Sequence, residues 1–325
     1  MKEEYPCPIE LSDGQYTFKN QDGTLWSDVY GEKGIFRAAE VFSEGFAAVE
    51  LKNGEYTFVD TNANLMKHRF DGAKNFHEGF AAVELKNGDF TFVDKKGNLL
   101  KHRFDTAKDF HEGFARVILR NGDRTFMDTN GNLMKHRFDG ANDFHEGFAA
   151  VKLSGGDWTF MDTNGNLMMH RFYMGSDFHE GFASILLKSG DWTFIDRNGI
   201  LMKHKFWDVS NFSKGLAQVK FKHDSHWTYL DKYENIWEGD EVDKLYKIYY
   251  NPQKLFELDN VDKKYFKTAL SVIKQKLVDM EKSSKEETKD HREKLNEKIQ
   301  EKFGDLVEEL RQEKINANNE KDREY

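Results

Sequence analysis

Six phenylalanines, Phe42, Phe76, Phe110, Phe144, Phe178 and Phe212, stand 34 residues apart. Gly45, Gly79, Gly113, Gly147, Gly181 and Gly215 keep the same step. So do Thr57, Thr91, Thr125, Thr159 and Thr193, with Thr228 one residue late. A chain with one fixed period is built of like supersecondary units, none of which can bury its apolar surface alone, so neighbours must stack. Thr17-Phe18 precedes Thr57-Phe58 by 40 residues, which makes the first unit a diverged one. About seven units then cover residues 5–240 of the 325.

Each unit reads as three short antiparallel strands. In the unit FHEGFAAVELKNGDFTFVDKKGNLLKHRFDTAKD they are Phe80 to Lys86, Asp89 to Asp94 and Asn98 to Phe104. Asn87-Gly88 has the composition of a type I′ hairpin turn, and Asp-x-x-Gly-Asn that of a longer turn with a left-handed glycine at Gly97. No proline occurs between Pro8 and Pro252, so none interrupts a strand.

A two-residue Asn53-Gly54 turn would place Leu51 opposite Tyr56, Val49 opposite Phe58 and Ala47 opposite Asp60. Side chains alternate along a strand. One face would therefore gather Ala47, Val49, Leu51, Tyr56, Phe58, Met66, His68 and Phe70. The other would be polar, with Glu55 opposite Arg69 and the pair repeated as Asp89–Arg103, Asp123–Arg137, Asp157–Arg171 and Asp191–Lys205.

The run Phe-x-Glu-Gly-Phe-Ala-x-Val, an aromatic-x-Phe-x-Asp strand and Asn-Gly-Asn together resemble the WG-repeat (KWG-repeat) proteins of bacteria over residues 9–240. Asp157 to Asp162 and Asp191 to Asp196 stand where that family has Lys-Trp-Gly-Tyr-Ile-Asp. Thr57, Thr91, Thr125, Thr159, Thr193 and Thr228 stand in place of the motif glycine. The resemblance implies an all-β tandem array and interaction roles rather than chemistry.

The expected fold is mainly β: tandem three-stranded antiparallel units in an open solenoid or superhelix, with a closed propeller-like ring as the alternative. Blades of a propeller usually carry four strands, which favours the open array. Composition shifts after Asp240, giving a β-repeat domain at 1–240 and an α-helical region at 241–325. Leu245 to Tyr250 reads as a helix ended by Asn251-Pro252. Tyr265, Phe266, Ala269, Leu270, Val272, Ile273, Leu277 and Met280 form a helical stripe, as do Leu295, Ile299, Phe303, Leu306 and Leu310. Ser284 to Glu287 reads as a capping box. These helices would fold into a hairpin that caps the repeats or self-associates as a coiled coil, and Asn316 to Tyr325 would fray.

The net charge of −9, carried mostly by the repeats, argues against nucleic acid. The single cysteine, Cys7, rules out a disulfide framework. The N-terminal residues show no secretory signal, and no apolar run is long enough to span a membrane, so a cytoplasmic location is expected. No catalytic motif is present, so no enzyme activity and no cofactor or metal are expected.

Two histidine ladders, His68, His102, His136, His170 and His204, and His77, His111, His145 and His179, could in principle ligate metal. The first is expected to pack neutral against inward aromatics, so that acid would loosen the stack. The Asp128–Asn132 and Asp162–Asn166 loops faintly resemble calcium loops but lack the downstream glutamate and carry too few carboxylates, and turn chemistry accounts for them.

What varies between units is the outer pair on the first strand. Arg116, Ile118, Lys152, Ser184, Leu186, Gln218 and Lys220 are therefore the candidate partner-binding residues. The expectation is a non-enzymatic protein-interaction scaffold with an unidentified protein partner. The alternative is a carbohydrate- or metal-binding module using repeated aromatic or histidine positions.

Overall fold

A computed structural model describes residues 5–259, 261–282 and 285–321. The chain forms two compact units, Met1–Arg171 and Phe172–Tyr325. The first begins with the hairpin Cys7–Glu10/Tyr16–Lys19 and the short helix α1 (Trp26–Tyr30). Four three-stranded antiparallel sheets follow, built on the hairpins Phe46–Glu50/Tyr56–Asp60, Phe80–Glu84/Phe90–Asp94, Phe114–Ile118/Arg124–Asp128 and Phe148–Lys152/Trp158–Asp162. The second unit holds the sheet around Phe182–Leu186/Trp192–Asp196 and a four-stranded sheet ending at Ile236–Trp237. Helices α2 (Gly239–Tyr250), α3 (Lys263–Glu281) and α4 (Lys285–Lys321) complete it. Among the described residues, no strand of one sheet pairs with a strand of another, and no sheet closes into a barrel.

The register differs from the expected one by one residue. Glu50 pairs with Tyr56, Ala48 with Phe58 and Phe46 with Asp60. The turn has three residues, not two: Leu51 N–H donates to Glu55 O at 2.8 Å and Gly54 N–H to Leu51 O at 2.9 Å. Gly54, at φ 84°, is the left-handed bulge residue that closes such a loop. Both sheet faces are consequently covered. Strand centres are buried three residues in a row, as in Ala47-Ala48-Val49 and Thr57-Phe58-Val59. In the first unit, Ala48 and Phe58 of one sheet pack on Ala81, Val83 and Val93 of the next, with Phe70 and Phe76 between them. Alanines on the first strand let neighbouring sheets come close, and the 34-residue phenylalanine fills the remaining gap. Phe58–Phe76, Phe92–Phe110 and Phe126–Phe144 meet edge-on with ring centroids 4.8–5.0 Å apart.

The expected third strand is also corrected. Asn98–Phe104 makes β-bridges with the sheet only near its ends, Leu99 with Val93 and Phe104 with Phe90. The regular third strand lies on the other side of the hairpin: Gly72–Ala73 pairs with Glu84 and Val83. Two extra residues loop out between Met66 and Phe70, so Tyr56 opposes Phe70 rather than His68.

In the second unit the helices share one core with the last sheet, including Leu216, Trp237, Leu245, Phe266, Val272 and Leu295. The buried Asp231 carboxylate joins them. It accepts from Trp237 Nε1 at 2.9 Å and from the Thr268 hydroxyl of α3. Asp262 caps α3 by accepting from Tyr265 N–H at 2.8 Å. Helices α3 and α4 run antiparallel, with Phe266 on Phe303 and Lys263 bridged to Glu309 at 3.2 Å and Glu313 at 2.5 Å. The expected hairpin is therefore present and covers the last sheet. Ser284 of the capping box and Asp322 to Tyr325 lie outside the described residues.

Candidate functional site

The recurring polar residues build the stack. In the Phe-x-Glu-Gly-Phe run, His77 N–H donates to Phe80 O at 2.8 Å and Phe80 N–H to His77 O at 3.1 Å. This is the true two-residue turn of the repeat. Glu78 at φ 52° and Gly79 at φ 87° give it type I′ geometry. A left-handed glutamate costs ~1–2 kcal/mol. Its side chain offsets that cost by reaching the next turn. Glu78 Oε1 accepts from Glu112 N–H at 2.7 Å and Oε2 from Gly113 N–H at 2.6 Å. Glu112 accepts from Glu146 N–H and Gly147 N–H, both at 2.7 Å. In the second unit Glu180 holds Lys214 N–H at 2.6 Å and Gly215 N–H at 2.7 Å.

Glu44 accepts from Gly79 N–H and pairs with Lys95, both at 2.9 Å. Burial pushes its carboxyl up, but the Lys95 ammonium and the Gly79 amide outweigh this and leave it below the usual glutamate range. The ladder ends at Lys214, which stands in the glutamate position and lies 4.8 Å from the Tyr250 ring centroid.

The threonines in place of the motif glycine have a structural role. Thr57 is fully buried. Its hydroxyl donates to His68 O at 2.9 Å and accepts from Arg69 Nη1 at 3.2 Å. That nitrogen also donates to Met66 O at 2.5 Å and His68 O at 3.0 Å. The knot recurs at Thr91–Arg103, Thr125–Arg137 and Thr159–Arg171. It is what draws the third segment out of the sheet. Arg69 is therefore not the partner of Glu55. Glu55 instead pairs with Lys86 of the next unit at 2.5 Å, and Asp89 with Arg120.

The Asp-x-x-Gly-Asn loops are closed by their own aspartates: Asp128 Oδ1 accepts from Asn130 and Asn132 N–H, and Oδ2 from Asn132 Nδ2. Burial raises the Asp94, Asp128 and Asp162 carboxyls. The asparagine and backbone donors outweigh it and hold all three below the ordinary aspartate range.

The histidines do not sit as expected. His102, His136 and His170 are exposed, and His68 and His204 are half-buried. His102 and His136 lie over Phe104 and Phe138 at 6.1 and 6.0 Å. The burial argument for acid sensitivity therefore does not apply to them. His77, His111 and His145 stack at 6.4 and 6.3 Å along the turn ladder. Glu78 and Glu112 already hold backbone amides, and no metal-ligating group of three occurs among the described residues.

With the register moved, the candidate partner-binding residues lie on strands whose faces meet neighbouring sheets. Arg116 is half-buried, donates to Ala141 O, and pairs with Asp143 at 3.2 Å. Ser184 is buried and bonded to Ser176 Oγ at 2.9 Å. These two do not present free side chains. Ile118, Lys152, Leu186 and Lys220 are half-buried near the outer strands. Gln218 is exposed, with its amide donating to Tyr229 OH at 2.8 Å.

A different column is the exposed variable one. The residue just before the outer strand is Arg37, Asp71, Asp105 and Asp139, then Tyr173 and Trp207. Tyr173 is 64% and Trp207 59% exposed, and Met174 beside Tyr173 is 48% exposed. Their backbones are fixed, Tyr173 N–H to Leu186 O at 2.9 Å and Trp207 N–H to Lys220 O at 2.7 Å. The column was visible in the 34-residue alignment as a change from charge to aromatic.

Separate stacked sheets, laced by turn glutamates, define a tandem β-repeat protein. Residues 56–88, 90–122 and 125–156 match the family model of the WG containing repeat, which supports a WG-repeat assignment for these three consecutive units. No curated protein matches it in sequence. Among solved structures it is similar to the computationally designed Ika8 protein, at 12% identity and TM-score 0.35, covering 73% of this chain and 84% of that one. It is similar also to BamB from Moraxella catarrhalis, at 11% and 0.33, covering 71% and 86%. A third is the dihydro-heme d1 dehydrogenase NirN in complex with DHE, at 13% and 0.34, covering 73% and 64%.

Proposed function

We propose that the chain is a non-enzymatic scaffold that binds a protein partner through the exposed aromatic column of its later repeats. One observation carries this reading. Tyr173 and Trp207 are exposed where earlier units place Asp71, Asp105 and Asp139, and Met174 beside Tyr173 is exposed as well. Exposed aromatics on a rigid backbone are the residue types that dominate protein interfaces, and adjacent exposed apolar groups mark contact sites. The repeated glutamates, threonines, arginines and aspartates are occupied in holding the stack, which leaves the variable positions for recognition. No described helix is long and apolar enough to cross a membrane.

The test is capture from native lysate with the full chain and with Tyr173→Ala/Trp207→Ala. The reading expects loss of specific partners at unchanged melting temperature. Unchanged capture refutes the surface. A saturable thermal shift with a glycan or a metal ion would instead favour a ligand-binding module.

A further inference from the structure

The second unit contains a cavity of about 860 Å³ between the hairpin loop that begins at Asp231 and helices α3 and α4. That volume lies within the range of roughly 300–1,000 Å³ typical of small-molecule sites. Helix α3 lines it with Lys267, Leu270, Ser271 and Lys274, and α4 with Val307, Leu310, Arg311 and Lys314, with Glu313 beside them. Both sets follow the i, i+3, i+4, i+7 spacing, so each helix turns one continuous face to the cavity. The loop adds Lys232 and Tyr233.

The cavity is net cationic: Lys232, Lys267, Lys274, Arg311 and Lys314 line it against a single lining carboxylate, Glu313. Lys232, Lys267, Lys274 and Lys314 have no ion-pair partner among the described residues. The nearby acids each have other partners, although Asp231 and Glu180 still act on Lys232 through space. Glu313 is held by Lys263 at 2.5 Å, Glu308 by Arg311 at 3.1 Å, and Glu180 by the Lys214 and Gly215 amides. Asp231 is buried under Thr268 and Trp237. Lys232 is half-buried. Burial, together with the Lys274 and Lys267 ammoniums, outweighs the Asp231 and Glu180 carboxylates and pulls its pKa below the ordinary lysine range. A half-buried cation crowded by like charges is stabilised when an anion joins it.

We propose that this cavity binds a small organic polyphosphate of nucleoside-triphosphate size, with Lys232, Lys267, Lys274 and Lys314 holding its phosphates. Lysines act as point-charge phosphate ligands, and four of them call for several negative charges on one ligand. Leu270, Val307 and Leu310 form an apolar wall that calls for an organic body beyond the phosphates. This site is independent of the aromatic column.

The experiment is isothermal titration calorimetry on the full chain with metal-free ATP, inorganic tripolyphosphate, inorganic phosphate and hexaglutamate, at low and physiological salt. The expected result is saturable ATP binding in the micromolar range, weaker tripolyphosphate binding, and none with phosphate. Salt should weaken the binding. Lys274→Glu, at an exposed position, should reduce ATP affinity by about tenfold or more at unchanged melting temperature, and Lys232→Ala should do likewise. Absence of saturable heat with ATP and tripolyphosphate overturns the proposal, as does equal affinity in the variants. Tighter binding of hexaglutamate than of ATP also overturns it, in favour of an acidic protein segment.

Discussion

Replacing Glu112 separates two opposed effects in one residue. Its backbone sits at φ 52°, a strain of ~1–2 kcal/mol for any side chain with a Cβ. Its carboxylate accepts two backbone amides of the next turn, both at 2.7 Å. Hydrogen bonds to a charged group are worth about 1.5–3 kcal/mol each. Exposure to solvent roughly halves this, giving about 2–3 kcal/mol for the pair. Glu112→Ala loses the bonds and keeps the strain, so it should destabilise by about 2–3 kcal/mol. Glu112→Gly loses the bonds and relieves the strain, for a net loss of about 1 kcal/mol. Urea unfolding followed by circular dichroism should therefore rank wild type above Glu112→Gly above Glu112→Ala, at similar slope. A glycine variant at least as stable as wild type would show that the ladder contributes nothing. Equal stability of the two variants would show that the turn is not left-handed.

Ala63 sits at φ 63° where Gly97, Gly131, Gly165 and Gly199 occupy the equivalent loops; Ala63→Gly should stabilise by about 1 kcal/mol in the same assay. Arg103→Ala removes the guanidinium that joins Thr91 to the carbonyls of Leu100 and His102; it should cost about 2 kcal/mol, and Arg103→Lys should recover only part of that in thermal melts. The carboxyls of Glu44, Asp94, Asp128 and Asp162 are lowered on folding, so their contribution is present above their unfolded values near about 4 and is lost as pH falls through the folded ones. The urea midpoint should drop steadily on acidification below about pH 5, and a flat or rising midpoint there would contradict this assignment.

The period, the antiparallel hairpins and the helical hairpin were legible in the sequence because 34-residue spacing and helical stripes survive any small error in pairing. The register was not. Asn53-Gly54 fits both a two-residue turn and a three-residue turn with a bulge, and a one-residue slip exchanges the faces of every strand. The slip moved Arg116 and Ser184 from an expected outer surface to the layer between sheets. Phe-Ala-Ala-Val and Thr-Phe-Val are continuous small or apolar runs, which is the mark of strands covered on both sides. Treating threonine as polar hid that mark. The glutamate ladder was harder to see, since its geometry needs a left-handed glutamate that sequence preferences disfavour. The threonine–arginine knot did leave a signal, an arginine 12 residues after each of Thr57, Thr91, Thr125 and Thr159. A third strand without the looped-out residues places that arginine opposite Glu55 and its equivalents.

The central claim is that, within each of the two units, a turn is held by the glutamate of the turn before it. Amide hydrogen exchange followed by NMR tests this directly at the turn glycines. Gly79, Gly113, Gly147 and Gly215 donate to Glu44, Glu78, Glu112 and Glu180, whereas no described glutamate precedes Gly45 in the ladder. The account predicts slow exchange at those four amides and fast exchange at Gly45, with protection of Gly147 lost in Glu112→Ala. Uniformly fast exchange at all five, or protection of Gly147 that survives the loss of Glu112, would contradict it.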